Sequence, residues 1–121
     1  LKGAQRKAAT HDIAWLHPSG RQMTERDWND ASLHCLGLHM TGAVDTRAAD
    51  AGDVLVVFNA GAGPVDLVMP EAAHGNAWRM VLDTEQPDGE AKPLVVRCSE
   101  TLRLAPRSTV LLESQRPLAE A

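Results

Sequence analysis

Apolar residues recur along this chain in short runs of four to ten positions, divided by segments rich in Gly, Pro, Asp and Asn. The runs alternate with period two or are continuous, and none sustains a helical period, so the pattern predicts strands. The first run, Asp12-Ile13-Ala14-Trp15-Leu16, is extended and enters a turn at His17-Pro18-Ser19-Gly20. Thr24 with Asp27 three positions on is the signature of a helix start, which predicts one short turn carrying Trp28 and ended by Asn29-Asp30. Residues 32–41 (SLHCLGLHMT) are mostly apolar and alternate imperfectly, with Gly37 expected at a bulge or close approach. Residues 42–53 are small and polar, and read as a loop. Val54-Leu55-Val56-Val57-Phe58-Asn59 is β-branched and too short for a helix, which marks a buried central strand. Ala60-Gly61-Ala62-Gly63-Pro64 turns the chain into Val65–Met69, whose alternation suits a strand with one wet face, so the pair reads as a hairpin. Further strands are expected at 78–82, 94–98, 101–104 and 109–113.

About seven short strands with no long helical pattern between them predict an all-β fold, an antiparallel β-sandwich, because a parallel sheet needs helical crossovers. The expected inward positions are Leu33, Cys35, Leu55, Val57, Leu67, Met69, Met80, Leu82, Val95, Leu102, Leu104, Val110 and Leu112. Residues 1–10 are small and basic without apolar period, and read as a linker or the tail of a preceding element, mobile in isolation.

Composition narrows the function classes. A chain of 121 residues with 44% hydrophobic and 23% charged residues suits one domain with one core. The net charge of −4 and 3% aromatic content argue against a nucleic-acid surface, which needs basic excess and rings for stacking. No stretch approaches the roughly 18 apolar residues of a membrane span, and no apolar run follows the basic start, so neither anchor nor secretion signal is expected. Cys35 and Cys98 lack CxxC spacing and read as reduced core thiols, which places the protein in the cytoplasm. Leu at position 1, with the first methionine at Met23, suggests an excerpt of something longer.

The candidate chemistry is sparse. His34, Cys35 and His39 lie close in sequence, but on a strand His34 points away from both Cys35 and His39, so no metal site is expected. Gly61 and Gly63 resemble the start of a dinucleotide fingerprint, yet Asp66 stands where the third glycine belongs and a strand follows in place of a helix. Ser108 and Ser114 lack a nucleophile motif and read as structural. Asp83, at the end of its strand, is the carboxylate most suited to a specific structural bond. Trp78 reads as core, whereas Trp15 and Trp28 flank the Pro18–Gly20 turn outside the strand block, where core and interface roles both stay open. No catalytic residue and no cofactor are expected.

Asp12-Ile13-Ala14-Trp15-Leu16-His17-Pro18-Ser19-Gly20-Arg21-Gln22-Met23-Thr24, followed by Asp27-Trp28, resembles a signature of bacterial glycogen debranching enzymes, isoamylase-type members of the α-amylase superfamily. The likeness continues through Cys35-Leu36-Gly37, Leu55–Ala60, Met69-Pro70, Trp78-Arg79, Leu82-Asp83-Thr84 and Pro106–Leu112. The resemblance implies a C-terminal β-sandwich over residues 12–121, with 1–11 as the connector from a catalytic (β/α)8 barrel. On that barrel lie the nucleophilic Asp, the acid/base Glu and the stabilising Asp that hydrolyse α-1,6 branch linkages in glycogen or its limit dextrins. None of those motifs occurs in this chain. Two roles follow: a noncatalytic domain that meets the barrel through Trp15, Leu16 and Trp28 and stabilises it, or a module that binds glycogen or maltooligosaccharide. The low aromatic content favours the first.

Overall fold

In a computed structural model, residues 12–44, 52–73 and 75–115 are described; residues 1–11, expected to be a connector, most of the polar segment before Gly52 and the last six residues lie outside them. Eight strands and one helical turn follow in order: β1 (Asp12–Leu16), α1 (Glu25–Trp28), β2 (Cys35–Val44), β3 (Gly52–Asn59), β4 (Val65–Val68), β5 (Ala77–Asp83), β6 (Val95–Arg97), β7 (Thr101–Leu104) and β8 (Ser108–Gln115). All pairings are antiparallel: six strands form one sheet in the order β1-β2-β3-β8-β5-β6, and β4 pairs with β7 in a second. The two sheets enclose the core in the expected β-sandwich.

Strand parity sets the core. On β3 the burial alternates, with Leu55 and Val57 wholly inside and Val54 and Val56 half-buried on the other face. Val110 and Leu112 of β8, Leu67 of β4 and Met69 just after it, and Leu102 and Leu104 of β7 meet them. Trp78 is wholly buried, as expected, and its indole N–H donates to the Pro70 carbonyl at 2.9 Å, which removes the penalty for an unpaired polar atom.

Several expectations change. β3 and β4 do not form a hairpin, because β2 and β8 occupy both edges of β3 and residues 60–64 carry the chain across to the second sheet. Buried Asn59 organises that crossover: its amide donates to the carbonyls of Gly63 (3.1 Å) and Ala105 (2.9 Å), and its Oδ1 accepts from the Gly61 amide (3.0 Å). Leu82 is 48% exposed because a bulge between Met80 and Leu82 inserts one residue and reverses the parity. On β6 it is Val96, opposite Trp78, that enters the core, leaving Val95 44% exposed. Leu33 is only half-buried, since it lies in the turn before β2, where its amide donates to the Asp30 carbonyl. Gly37 carries no bulge: pairing runs through it unbroken, and the irregularity of β2 falls between Met40 and Val44. β2 itself extends to Val44, into residues expected to be loop.

Candidate functional site

The helical turn forms as its sequence requires. Thr24 Oγ1 accepts from the Asp27 amide at 3.2 Å, and the Asp27 carboxylate accepts from the Thr24 amide at 2.8 Å, a reciprocal capping box. Arg21 then grips the same carboxylate through both guanidinium nitrogens, at 2.5 and 3.1 Å. These bonds, the guanidinium first, hold the Asp27 carboxyl well below the usual carboxylate range. The turn before it is tied down as well: the Gly20 amide donates to His17, and the Pro18 carbonyl accepts from Val68 of β4, so the entry segment reaches the second sheet.

This scaffold presents Trp28 against Trp15, with ring centroids 5.8 Å apart and planes at 74°, an edge-to-face pair. The indoles remain 41% and 51% exposed, too much for two rings belonging only to a core. Leu16, their expected companion, turns the other way, because neighbouring strand residues face opposite sides, and is 4% exposed within the core. Phe58 is also exposed, and lines a shallow, open depression of about 370 Å³ with Asn59, Ala60, Arg107, Ser108 and Thr109.

The polar residues singled out from sequence mostly fix backbone. Ser108 Oγ donates to the Ala105 carbonyl at 2.7 Å, and Asp83 accepts from the Glu85 amide at 2.9 Å in a surface turn. The glycines at 61 and 63 serve the Asn59 crossover. His34 is exposed and Cys35 buried, on opposite faces as strand geometry requires. Among the described residues no group of three His, Cys, Asp or Glu could hold a metal. The cysteines are free thiols, and burial pushes the Cys35 thiol up to about 11.

Sequence reasoning missed the most buried polar cluster. Asp53, wholly buried, accepts from His39 Nε2 (2.9 Å), the Gly42 amide (3.0 Å) and the Ala73 amide (2.6 Å), while its own amide donates to Ser114 Oγ (2.8 Å). His39 packs edge-on to Trp78 at 5.3 Å. Ser, His and Asp meet here, but Ser114 takes its bond from the Asp53 backbone, and the cluster sits inside the sandwich tying β2, β3, β8 and the Ala73 loop. Parity was the available signal: positions 53 and 59 share the inward face of Leu55 and Val57.

Residues 12–113 match the family described as isoamylase, C-terminal. The chain belongs to this family. Among its relatives, the glycogen operon protein GlgX homologs of Mycobacterium bovis and Mycobacterium tuberculosis are each 36% identical over 107 residues, which is 84% of this chain and 15% of theirs. Isoamylase 2, chloroplastic, of Oryza sativa subsp. japonica is 34% identical over 71 residues, 57% of this chain and 9% of its own length. This isoamylase C-terminal domain thus spans less than a sixth of the curated relatives it matches. Its first matched residue, Asp12, opens β1, and the match contains the Trp15–Trp28 pair, the capping box and every strand through the body of β8. In the described residues no helix is long and apolar enough to cross a membrane.

Proposed function

We propose that this chain is the noncatalytic C-terminal β-sandwich of a glycogen debranching enzyme, packed on a catalytic (β/α)8 barrel of the same polypeptide and stabilising it. The observation that carries the reading is the match to an isoamylase C-terminal family in relatives of which it forms 15%, two of them named for the glycogen operon. In this reading residues 1–11 connect the two parts, and the barrel hydrolyses α-1,6-glucosidic branch linkages by a retaining, two-carboxylate route. This chain's part is mechanical. Trp15 and Trp28 meet the barrel with their exposed faces, and Leu16 anchors β1 to the core behind them.

The exposed edge-to-face indoles also support a second reading, a module that holds glycogen or maltooligosaccharide against the enzyme. Two assays separate the readings. Deleting this domain from the full-length polypeptide should lower its thermal midpoint, while the domain alone should leave branched glucan uncut and pass through a glycogen column unretained. Saturable retention lost in Trp28→Ala would transfer the assignment to the glucan module, and debranching by the domain alone would end both readings.

A further inference from the structure

The six-stranded sheet has a second face that the two-stranded sheet does not cover, and its central row is apolar. Trp15 lies opposite Leu38, Leu38 opposite Val56, Val56 opposite Leu111, and Leu111 opposite Leu82. One unbroken apolar row therefore crosses five strands. The next row, Ile13–Met40–Val54, ends on Glu113, which pairs with Arg79 at 3.1 Å. On the other side Leu36 lies opposite Phe58, which is 41% exposed. Strands with one wet face alternate apolar and polar, whereas strands covered on both sides read as continuous apolar runs. Residues 54–58 read as the second kind, yet among the described residues only one of their faces is covered.

We propose that this outer face docks on the polypeptide that precedes the domain in the full-length enzyme, an inference that rests on the packing role above and assigns its surface. Two observations choose this occupant. The family is C-terminal and the match forms 15% of its relatives, so the bulk of those chains precedes β1, the edge strand that contributes Ile13 and Trp15 to the face. The area points the same way. Five strands about 4.8 Å apart by three rows about 6.7 Å apart give a footprint of about 24 Å by 20 Å, or roughly 480 Å². That is a little over half of the ~800 Å² per partner found in stable complexes of free proteins, so a second copy is the poorer occupant. A tethered neighbour is held at high effective concentration and needs less. The complementary surface is uncharged opposite the Trp15–Leu82 row and polar toward both rims, Arg79–Glu113 on one side and Arg107 and Thr109 beside Phe58 on the other.

Footprinting of the full-length protein tests the assignment, with hydroxyl radicals reading Met40 and Phe58 and carboxyl labelling reading Asp66 on the two-stranded sheet. Met40 and Phe58 should be shielded and Asp66 fully labelled. A Val56→Asp, Leu111→Asp double variant should raise Met40 and Phe58 oxidation about tenfold, because an unpaired carboxylate opposes a dry interface. The wild-type pattern decides even if that variant fails to fold. Open Met40 and Phe58 with Asp66 shielded would overturn this face and leave the packing role standing. All three open would overturn both.

Discussion

Replacing Asn59 with Ala tests whether the crossover between the sheets is held by one side chain. The residue is 2% exposed and makes three hydrogen bonds, to Gly63, Ala105 and Gly61, at 2.9 to 3.1 Å. Each such bond contributes a net ~0.5–1.5 kcal/mol. Gly63 is exposed and Gly61 half-buried, so water takes over part of their share, whereas Ala105 belongs to the turn that starts β8. The expected loss is therefore about 2–3 kcal/mol, nearer the middle than the top of the simple sum. With a urea slope of roughly 1–1.5 kcal/mol/M for a domain of this size, the unfolding midpoint should fall by about 2 M. Asn59→Asp should be worse near neutral pH, since a carboxylate oxygen would then face two carbonyls. It should recover partly in acid, where a protonated carboxyl again donates one bond. A midpoint for Asn59→Ala within about 0.3 M of wild type would refute the reasoning.

Three further outcomes follow from the same geometry. Asp27 is ionised more readily folded than unfolded, so its contribution is complete above the unfolded carboxyl pKa of about 4 and is lost as pH falls through the lower folded value. An NMR titration should find Asp27 below the usual carboxylate range and Arg21→Ala should raise it; an ordinary titration in wild type would contradict the capping geometry. Cys98 should react with a thiol reagent at pH 8 well before Cys35, whose thiol is 2% exposed, and simultaneous reaction would refute the assigned core. Gly75 has φ +123°, and a Cβ there would fall 2.2 Å from the Gln115 carbonyl oxygen, so Gly75→Ala should cost about 2 kcal/mol or more in thermal or urea unfolding. An unchanged midpoint would mean that the start of β5 approaches β8 less closely.

What the sequence disclosed was what is decided locally. The Thr24–Asp27 capping box involves four consecutive residues, and Leu55, Val57, Val110 and Leu112 follow from period two within single strands. Trp78 was also legible, because a strand-borne indole of that size is costly to leave in water. The misses share a different cause. Residues 60–64 look the same whether they close a hairpin or cross between sheets, and the choice is made by β2 and β8 filling both edges of β3. The bulge at Met80/Leu82 shifts parity by one residue without a glycine to announce it. β6, with three residues, is too short to show a period, so Val95 and Val96 could not be told apart. For the site, Trp28 was legible from its place on the helical turn outside the strands, whereas Trp15 was expected outside them too and instead lies on β1, at the edge of the six-stranded sheet. Leu16 was grouped with Trp15 by adjacency, although adjacency on a strand means opposite faces. The apolar outer face was present in the continuous run at 54–58, read as a buried central strand before it was known which side is covered.

Differential scanning calorimetry of the full-length protein, beside the same protein carrying Val56→Asp and Leu111→Asp, tests the central claim most directly. If the domain packs on the catalytic part and stabilises it, wild type should unfold in one coupled transition, and the variant should show two, with the catalytic part melting earlier. Two independent transitions in wild type, neither moved by the substitutions, would contradict the account.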